Sequence, residues 1–234
     1  MSLRLITFDL DDTLWDVAPV MHGAEAALRD WLAAEAPRLG PAPIEHLWAI
    51  RARLLAAEPM LRHRLSELRR RILFHALEEA GYPHSEAQVL AEQGFQVFLA
   101  ARHRVEFFPD VHRTLEHLAE RYILGVITNG NAEVARLGLA DYFRFAISAE
   151  QMGIGKPDPK PFHSALQRAG VEAPQAAHIG DHPGDDIAGA KAAGLRAIWF
   201  NPQGKDWQGE AAPDAQIRRL AELPALLAGW TAGR

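Results

Sequence analysis

Three aspartates follow directly on a short apolar segment near the start of the chain. Asp9, Asp11 and Asp12 come after residues 5–8, which include β-formers in a run too short for a helix. Carboxylates this close raise one another's pKa unless a cation or hydrogen-bond donors offset their charge. The cluster therefore indicates either a metal site or a carboxylate that keeps its proton, and both are typical of catalysis. In a simpler interpretation, the acids only cap the helix that follows.

Three later loops carry polar residues directly after other apolar segments. Residues 128–131 offer a hydroxyl and flexible backbone amides that could hold an oxyanion. Lys156 lies among glycines, in a loop that two prolines would stiffen. Asp181, Asp185 and Asp186 crowd a glycine-rich turn, where helix capping would account for only one of them.

The composition narrows the classes of function. The chain has 234 residues, of which 48% are hydrophobic and 24% charged, and a net charge of -5, as in ordinary soluble proteins with one large or two modest domains. It contains no cysteine, so a metal would need oxygen or histidine ligands, and the many carboxylates favour Mg²⁺. The mildly acidic balance predicts no nucleic-acid partner. No apolar run is long enough to predict a membrane partner, so we expect a cytoplasmic protein.

The elements that must position these residues alternate between short strands and helices. The predicted strands are residues 3–10, 123–128, 145–148, 177–180 and 196–200. This alternation predicts an α/β fold with a three-layer, Rossmann-like parallel sheet. If the first strand is central, with the second and fourth on either side, Asp9, Thr128, Lys156 and Asp181 meet at one crevice.

The interval between the first and second strands breaks this alternation. It predicts only helices, at residues 21–35, 43–57, 62–80 and 85–101. We therefore expect a catalytic core formed by residues 1–16 and 105–234, and an inserted α-helical bundle, a cap domain, over residues 17–104. A cap hinged beside the acids could close over the site and exclude water.

The converging residues suit phosphoryl transfer, in which positioning and electrostatics do most of the catalysis. Four motifs, at residues 9–13, Thr128, Lys156 and residues 181–186, resemble in order and spacing those of the haloacid dehalogenase-like hydrolases. The resemblance covers nearly the whole chain and includes that family's small helical cap. Within the family, the chain looks most similar to bacterial phosphatases acting on flavin mononucleotide and on the phosphoribitylaminouracil intermediate of riboflavin synthesis.

The resemblance implies a role for each motif residue. Asp9 would attack phosphorus in line and form an aspartyl-phosphate. Asp11 would protonate the leaving alcohol and then deprotonate water. Thr128, Asn129 and Lys156 would hold the phosphoryl oxygens.

The resemblance also implies a set of ligands for Mg²⁺. They would be a carboxylate oxygen of Asp9, the backbone carbonyl of Asp11, Asp181 and water molecules. Asp185 or Asp186 would support the metal, and the sequence does not choose between them. Thr13 is a further supporting residue.

Three other functions stay open. A dehalogenase of the same fold also uses an aspartate nucleophile, but it needs no metal and lacks an acid two residues on, so Asp11 favours the phosphatase. A phosphomutase would keep both acids and the metal. A non-catalytic binding module would be expected to lose one of the charged positions, and all of them are present here.

Substrate choice is expected to depend on the inserted helices and on the loop at residues 14–19. Trp15 could stack on an aromatic ring of the substrate, or it could pack at the hinge. Trp48 and Arg51 are further candidates for contact with substrate. We expect a small phosphorylated metabolite as the partner, and a monomer or homodimer.

Overall fold

The computed structural model describes residues 2–40 and 44–232, and the chain divides into two compact units. The first combines Met1–Asp16 with Glu106–Arg234, and the second is Val17–Val105. That these units act as a catalytic core and a cap stays a prediction. Among the described residues, no helix combines the length and the apolar character that crossing a membrane requires.

The second unit is helical throughout its described part. Its helices are Val17–Glu35 (α1), Ile44–Ala57 (α2), Leu65–Glu79 (α3) and His84–Arg102 (α4), with 3₁₀ turns at Pro37–Leu39 and Pro59–His63. Pro43, where the second helix was predicted to begin, lies outside the described residues. Helix α1 begins at Val17 rather than residue 21 because Pro19 falls in its first turn, where a proline has no helical hydrogen bond to lose. Phe95 and Phe98 of α4 centre a core shared with α1 and α3.

The first unit is built on a parallel sheet that has six strands within the described residues. They are Leu5–Phe8 (β1), Ile123–Thr128 (β2), Phe145–Ser148 (β3), Ala176–Gly180 (β4), Arg196–Phe200 (β5) and Ala215–Ile217 (β6). Their order is β3-β2-β1-β4-β5-β6. The predicted α/β class is therefore confirmed, with β1 between β2 and β4. Strand β6 was not predicted; it extends the sheet by pairing with β5.

Helices cover the sheet and explain why its strands are apolar runs. They are Val111–Ala119 (α5), Ala149–Met152 (α6), Pro159–Ala169 (α7), Gly189–Ala192 (α8) and Leu223–Ala232 (α9). Phe162 and Ala165 of α7 share one core cluster with Leu5 of β1 and Ile127 of β2. A parallel sheet buried in this way has almost continuous apolar strands, which is the pattern seen in β1.

The strand register sets the edge at which the site forms. Phe8, the last residue of β1, lies opposite Val126 of β2 and Ile179 of β4. Asp9 extends this pairing, because its backbone N–H donates to the carbonyl of Ile179 at 2.9 Å. The polar residues that end β1, β2 and β4 therefore lie side by side at one edge of the sheet.

Candidate active site

One cleft in the first unit opens at the carboxyl ends of β1, β2 and β4. Its lining residues are Asp9, Asp11, Asp12, Thr128, Asn129, Gly130, Lys156, Asp181, His182, Asp185 and Asp186. The structure thus brings together all the motif residues that line up at the strand ends in the sequence. Thr13 lies beside them, fully buried, with its hydroxyl 3.5 Å from Oδ1 of Asp181.

A buried lysine joins two of the aspartates. The Lys156 ammonium donates to Oδ1 of Asp9 and to Oδ1 of Asp186, both at 2.6 Å. Burial opposes the charge of Lys156, but the carboxylates of Asp186 and Asp9 raise its pKa above the usual value. Lys156 is therefore a fixed cation on the floor of the cleft.

The two partners of this lysine titrate in opposite directions. Burial raises the pKa of Asp9 well above its usual range, and the negative charges of Asp186 and Asp11 add to this rise against the attraction of Lys156. Burial would also raise the pKa of Asp186, but Lys156 and a hydrogen bond from His178 hold it well below the usual value. The single charge of Lys156 is shared between two buried carboxylates, so the group keeps an excess of negative charge.

Asp9, Asp181 and Asp186 form a group that could hold such a cation. One oxygen of each carboxylate lies within 4.8 Å of the others. Burial, followed by the charges of Asp186 and Asp12, raises the pKa of Asp181 to about 7. The indole N–H of Trp199 donates to the backbone carbonyl of Asp181 at 2.8 Å and fixes the start of the turn. This all-oxygen group with excess negative charge has the chemistry of a site for a hard divalent cation.

Asn129 holds the lysine loop against the end of β2. Its amide oxygen accepts from the backbone N–H of Lys156, and its amide nitrogen donates to the carbonyl of Lys156, both at 2.8 Å. The same nitrogen donates to Asp185 at 3.2 Å. The side chain of Asn129 is therefore used within the protein, so any contact with phosphate would come from its backbone. Gly155 permits this approach, because a side chain there would overlap Asn129.

Thr128 ends β2 with a hydroxyl that faces the cleft. The oxygen accepts from the backbone N–H of Gly130 at 3.0 Å, which folds the chain into a tight turn. The hydroxyl hydrogen is directed independently of this bond. Thr128 can therefore donate to an anion in the cleft while its own position stays fixed.

In the loop after β1, the side chain of Trp15 orients the carboxyl group of Asp11. The indole N–H of Trp15 donates to Oδ1 of Asp11 at 3.0 Å, and its ring packs edge-on against Phe107. Trp15 is fully buried, so these contacts support hinge packing over stacking on a substrate. Asp12 has a left-handed backbone with φ of 56°, a conformation that aspartate tolerates better than most residues.

A π-helical turn, Pro183–Ala188, follows β4 and carries the last acids. His182 caps it, since its Nδ1 accepts from the backbone N–H of Asp185 at 2.9 Å. The carboxyl of Asp186 turns back against Gly180, where a Cβ atom would overlap it. Asp186, rather than Asp185, therefore belongs to the group with Asp9 and Asp181.

The two candidates from the inserted segment, Trp48 and Arg51, lie on α2 of the second unit. The side chain of Trp48 is 69% exposed, and Arg51 is also exposed. Their contact with a substrate stays a prediction.

His178 is a site residue that was not predicted. It lies in β4, is fully buried, and contacts Asp186 through Nε2 at 3.0 Å and Thr7 through Nδ1 at 2.9 Å. A polar side chain inside a central strand needs a buried partner. The signal was therefore present, since Thr7 and His178 interrupt two apolar strands shortly before Asp9 and Asp181.

A family model for haloacid dehalogenase-like hydrolases matches residues 3–194. The chain belongs to the haloacid dehalogenase-like hydrolase family. The resemblance read from the sequence is thereby confirmed, and the motif residues of this hydrolase are those that line the cleft.

Two curated relatives of this hydrolase are phosphatases. It is 33% identical over 229 residues to the 5-amino-6-(5-phospho-D-ribitylamino)uracil phosphatase YigB of Escherichia coli K12, covering 96% of each chain. It is 32% identical over 255 aligned positions to the phosphoserine phosphatase of Thermus thermophilus, covering 94% of this chain and 98% of the relative.

A solved structure points to another member of the family. The crystal structure of a 2-haloacid dehalogenase from Pseudomonas syringae pv. Tomato DC3000 superposes with a TM-score of 0.96 and 64% sequence identity. The match covers 97% of this chain and 99% of that one. These comparisons establish a hydrolase of this family and leave phosphatase and dehalogenase activity to be separated by the chemistry of the site.

Proposed function

We propose that the protein is a Mg²⁺-dependent phosphomonoester hydrolase that works through an aspartyl-phosphate. The observation that carries the proposal is the carboxylate group formed by Asp9, Asp181 and Asp186, whose charge exceeds what Lys156 can neutralise. A dehalogenase that attacks carbon with one aspartate needs no such group. The two phosphatase relatives support the same reaction class.

The residues present fit a magnesium ion. Both oxygens of Asp186 already accept hydrogen bonds, from Lys156 and His178 at Oδ1 and from the backbone N–H of His182 at Oδ2. We therefore assign Asp9, Asp181 and the backbone carbonyl of Asp11 as ligands, with Asp186 in support. When bound, Mg²⁺ would keep Asp9 ionised and neutralise charge on the phosphoryl group.

The chain's own groups account for each proton and bond of the reaction. A carboxylate oxygen of Asp9 attacks phosphorus, the P–O bond to the alcohol breaks, and Asp11 gives its proton to the leaving oxygen. Asp11 then takes a proton from water, which attacks phosphorus and releases Asp9 and inorganic phosphate. Lys156 and the hydroxyl of Thr128 hold the phosphoryl oxygens through both steps. The hydrogen bond from Trp15 aims the carboxyl of Asp11.

For the substrate we propose a small phosphorylated metabolite, with flavin mononucleotide or a phosphorylated riboflavin precursor first among them. This choice rests on similarity to the E. coli uracil-derivative phosphatase over 96% of each chain. The choice of substrate can fail without the reaction class, because a phosphoserine phosphatase is almost as similar in sequence to this chain as the uracil-derivative phosphatase is.

A 2-haloacid dehalogenase is the second candidate, and the 64% identical crystal structure favours it. In that reaction Asp9 would displace halide from carbon, and water would hydrolyse the resulting ester. A halide ion leaves without taking up a proton, so Asp11 would have no role as a general acid in that reaction. A phosphomutase and a non-catalytic module are further outcomes of the same test.

The deciding experiment measures phosphate and chloride release side by side. The substrates are p-nitrophenyl phosphate, flavin mononucleotide, several sugar phosphates and 2-chloropropionate, each with Mg²⁺ or with EDTA. The variants are Asp9→Asn and, as a matched control, Asp141→Asn at an exposed position.

We expect phosphate release that requires Mg²⁺, is abolished by Asp9→Asn and is unaffected by Asp141→Asn. Chloride release that persists in EDTA would show dehalogenase activity and would overturn the assignment as a phosphatase. No release of either product would leave the mutase or the binding module. If flavin mononucleotide reacts no faster than the sugar phosphates, the flavin substrate is dropped and the reaction class stands.

A further inference from the structure

His178 is a buried titratable residue to which the proposed reaction assigns no step. It lies in the middle of β4, directly opposite Thr7 of β1 in the sheet register. Its ring is fully buried and packs edge-on against Phe162, with ring centroids 5.2 Å apart. Each ring nitrogen has a polar partner: Nδ1 lies 2.9 Å from the Thr7 hydroxyl, and Nε2 lies 3.0 Å from Oδ1 of Asp186.

These partners determine which ring nitrogen carries the hydrogen. Burial lowers the pKa of His178, which favours a neutral ring with one N–H at pH 7 and above. An ionised Asp186 only accepts hydrogen bonds, so Nε2 must be the donor. Nδ1 then accepts, and the Thr7 hydroxyl supplies the hydrogen because it lies closer to Nδ1 than to the carbonyl of Ala177 at 3.4 Å.

The chain of hydrogen bonds ends at the lysine of the cleft. Asp186 is oriented by donors on both oxygens, with the ammonium of Lys156 and the ring of His178 sharing Oδ1. Without the ring, Asp186 would keep the backbone N–H of His182 and Lys156 would keep Asp9, but Oδ1 of Asp186 would lose the donor that fixes its direction toward the ammonium. Of the donors to Asp186 that the described residues provide, Lys156 and the N–H of His182 lie in loops, and only the ring of His178 belongs to a strand.

We propose that His178 is a positioning residue that orients Asp186, and through it Lys156, by a hydrogen bond whose direction Thr7 determines. This inference rests on the proposed phosphatase in one respect, the role of Lys156 toward the phosphoryl group. The arrangement of the hydrogen bonds can be tested without any substrate.

The kinetic test compares His178→Gln with His178→Met. The two side chains have similar length and volume, but only glutamine can donate to Asp186 from the position of Nε2. We expect His178→Met to lower kcat about 10- to 100-fold, as substitutions of residues behind a site do, and His178→Gln to recover most of this loss. Thermal melting is recorded for both variants, and kcat is compared at a temperature at which both are fully folded, so that a difference in kcat is not a difference in the folded fraction. Equal kcat for the two variants, or a wild-type kcat in His178→Met, would overturn the proposal.

The second test detects the ring hydrogen itself. In ¹⁵N NMR spectra of metal-free protein, the signals missing from His178→Gln identify His178. We expect the neutral form with hydrogen on Nε2, and a shifted Nδ1 resonance in Thr7→Val but not in Thr7→Ser, since valine keeps the shape of threonine without the hydroxyl. Hydrogen on Nδ1, or no difference between the two Thr7 variants, would overturn the proposal. If no phosphate ester is hydrolysed, the proposed function fails, and the NMR spectrum alone then tests the proposed hydrogen bonds of His178.

Discussion

Replacing Asp181 by asparagine should stabilise the metal-free protein at alkaline pH. Burial and two neighbouring negative charges raise the pKa of Asp181 from 3.8 to about 7. Since the folded-state pKa lies above the unfolded value, the protonated carboxyl stabilises the fold at low pH, and this stabilisation is lost as the pH rises through 7. Asparagine matches the shape of the aspartate and carries no charge, so the variant escapes the loss.

The magnitude follows from the shift. A change from 3.8 to about 7 corresponds to about 4 kcal/mol, and partial exposure of the side chain reduces this to about 2–3 kcal/mol at pH 8. For a chain of this size, that difference raises the melting temperature by roughly 5–10 °C. By pH 5 the advantage should fall to less than about half, because the folded wild type has by then taken up the proton.

The assay is differential scanning calorimetry in EDTA between pH 5 and pH 8, repeated at pH 8 with Mg²⁺. We expect Mg²⁺ to raise the melting temperature of the wild type and to have little effect on Asp181→Asn, because a ligand stabilises only the state that binds it. Asp185→Asn is the matched control: it lies in the same turn but outside the carboxylate group. Equal stability of wild type and Asp181→Asn at pH 8, or a difference that does not narrow toward pH 5, would refute the reasoning.

Three further substitutions test other parts of the site. Lys156→Met should lower the free energy of unfolding in urea by about 3–5 kcal/mol, because it leaves two buried carboxylates without their cation. The control Lys191→Met removes a surface ion pair and should cost under about 1 kcal/mol. Similar losses of stability in the two variants would contradict this reasoning. Gly180→Ala should lower the free energy of unfolding by about 1–3 kcal/mol and also lower kcat, because the added methyl group displaces Asp186. In the control Gly184→Ala the methyl group makes only ordinary contacts, so this variant should melt like the wild type. Trp15→Phe should lower kcat roughly 3- to 10-fold by removing one hydrogen bond to Asp11, the proposed catalytic acid, and an unchanged kcat would exclude a role of Trp15 in orienting it.

The sheet and the position of the site could be predicted because both depend on local patterns. Each apolar run that became a central strand ends in polar residues, and parallel strands bring such ends to one edge. Strand β6 escaped prediction for the opposite reason. It has three residues, of which only Ile217 is fully buried, and it owes its conformation to pairing with β5. A segment this short carries no periodicity of its own.

The hydrogen-bond network within the site could not be predicted, because its partners are far apart in the sequence. No sequence pattern indicates that the side chain of Asn129 holds the backbone of Lys156, and contact of Asn129 with phosphate stays a prediction. Trp15 was open between substrate and hinge, and its ring contacts Asp11. Residue type shows that a buried polar group needs a partner, but only the three-dimensional fold selects which one.

The order of the strands also affects how the protein is made on the ribosome. Strand β1 is synthesised before both of its partners, β2 and β4, and β2 begins more than a hundred residues later. At about 5–20 residues per second, β1 waits roughly 5–20 s for its first partner. The contiguous helices of Val17–Val105 emerge in the meantime and can pack locally. The segment that carries Asp9 is therefore translated well before the strands that position it, and its two neighbours in the sheet are added later.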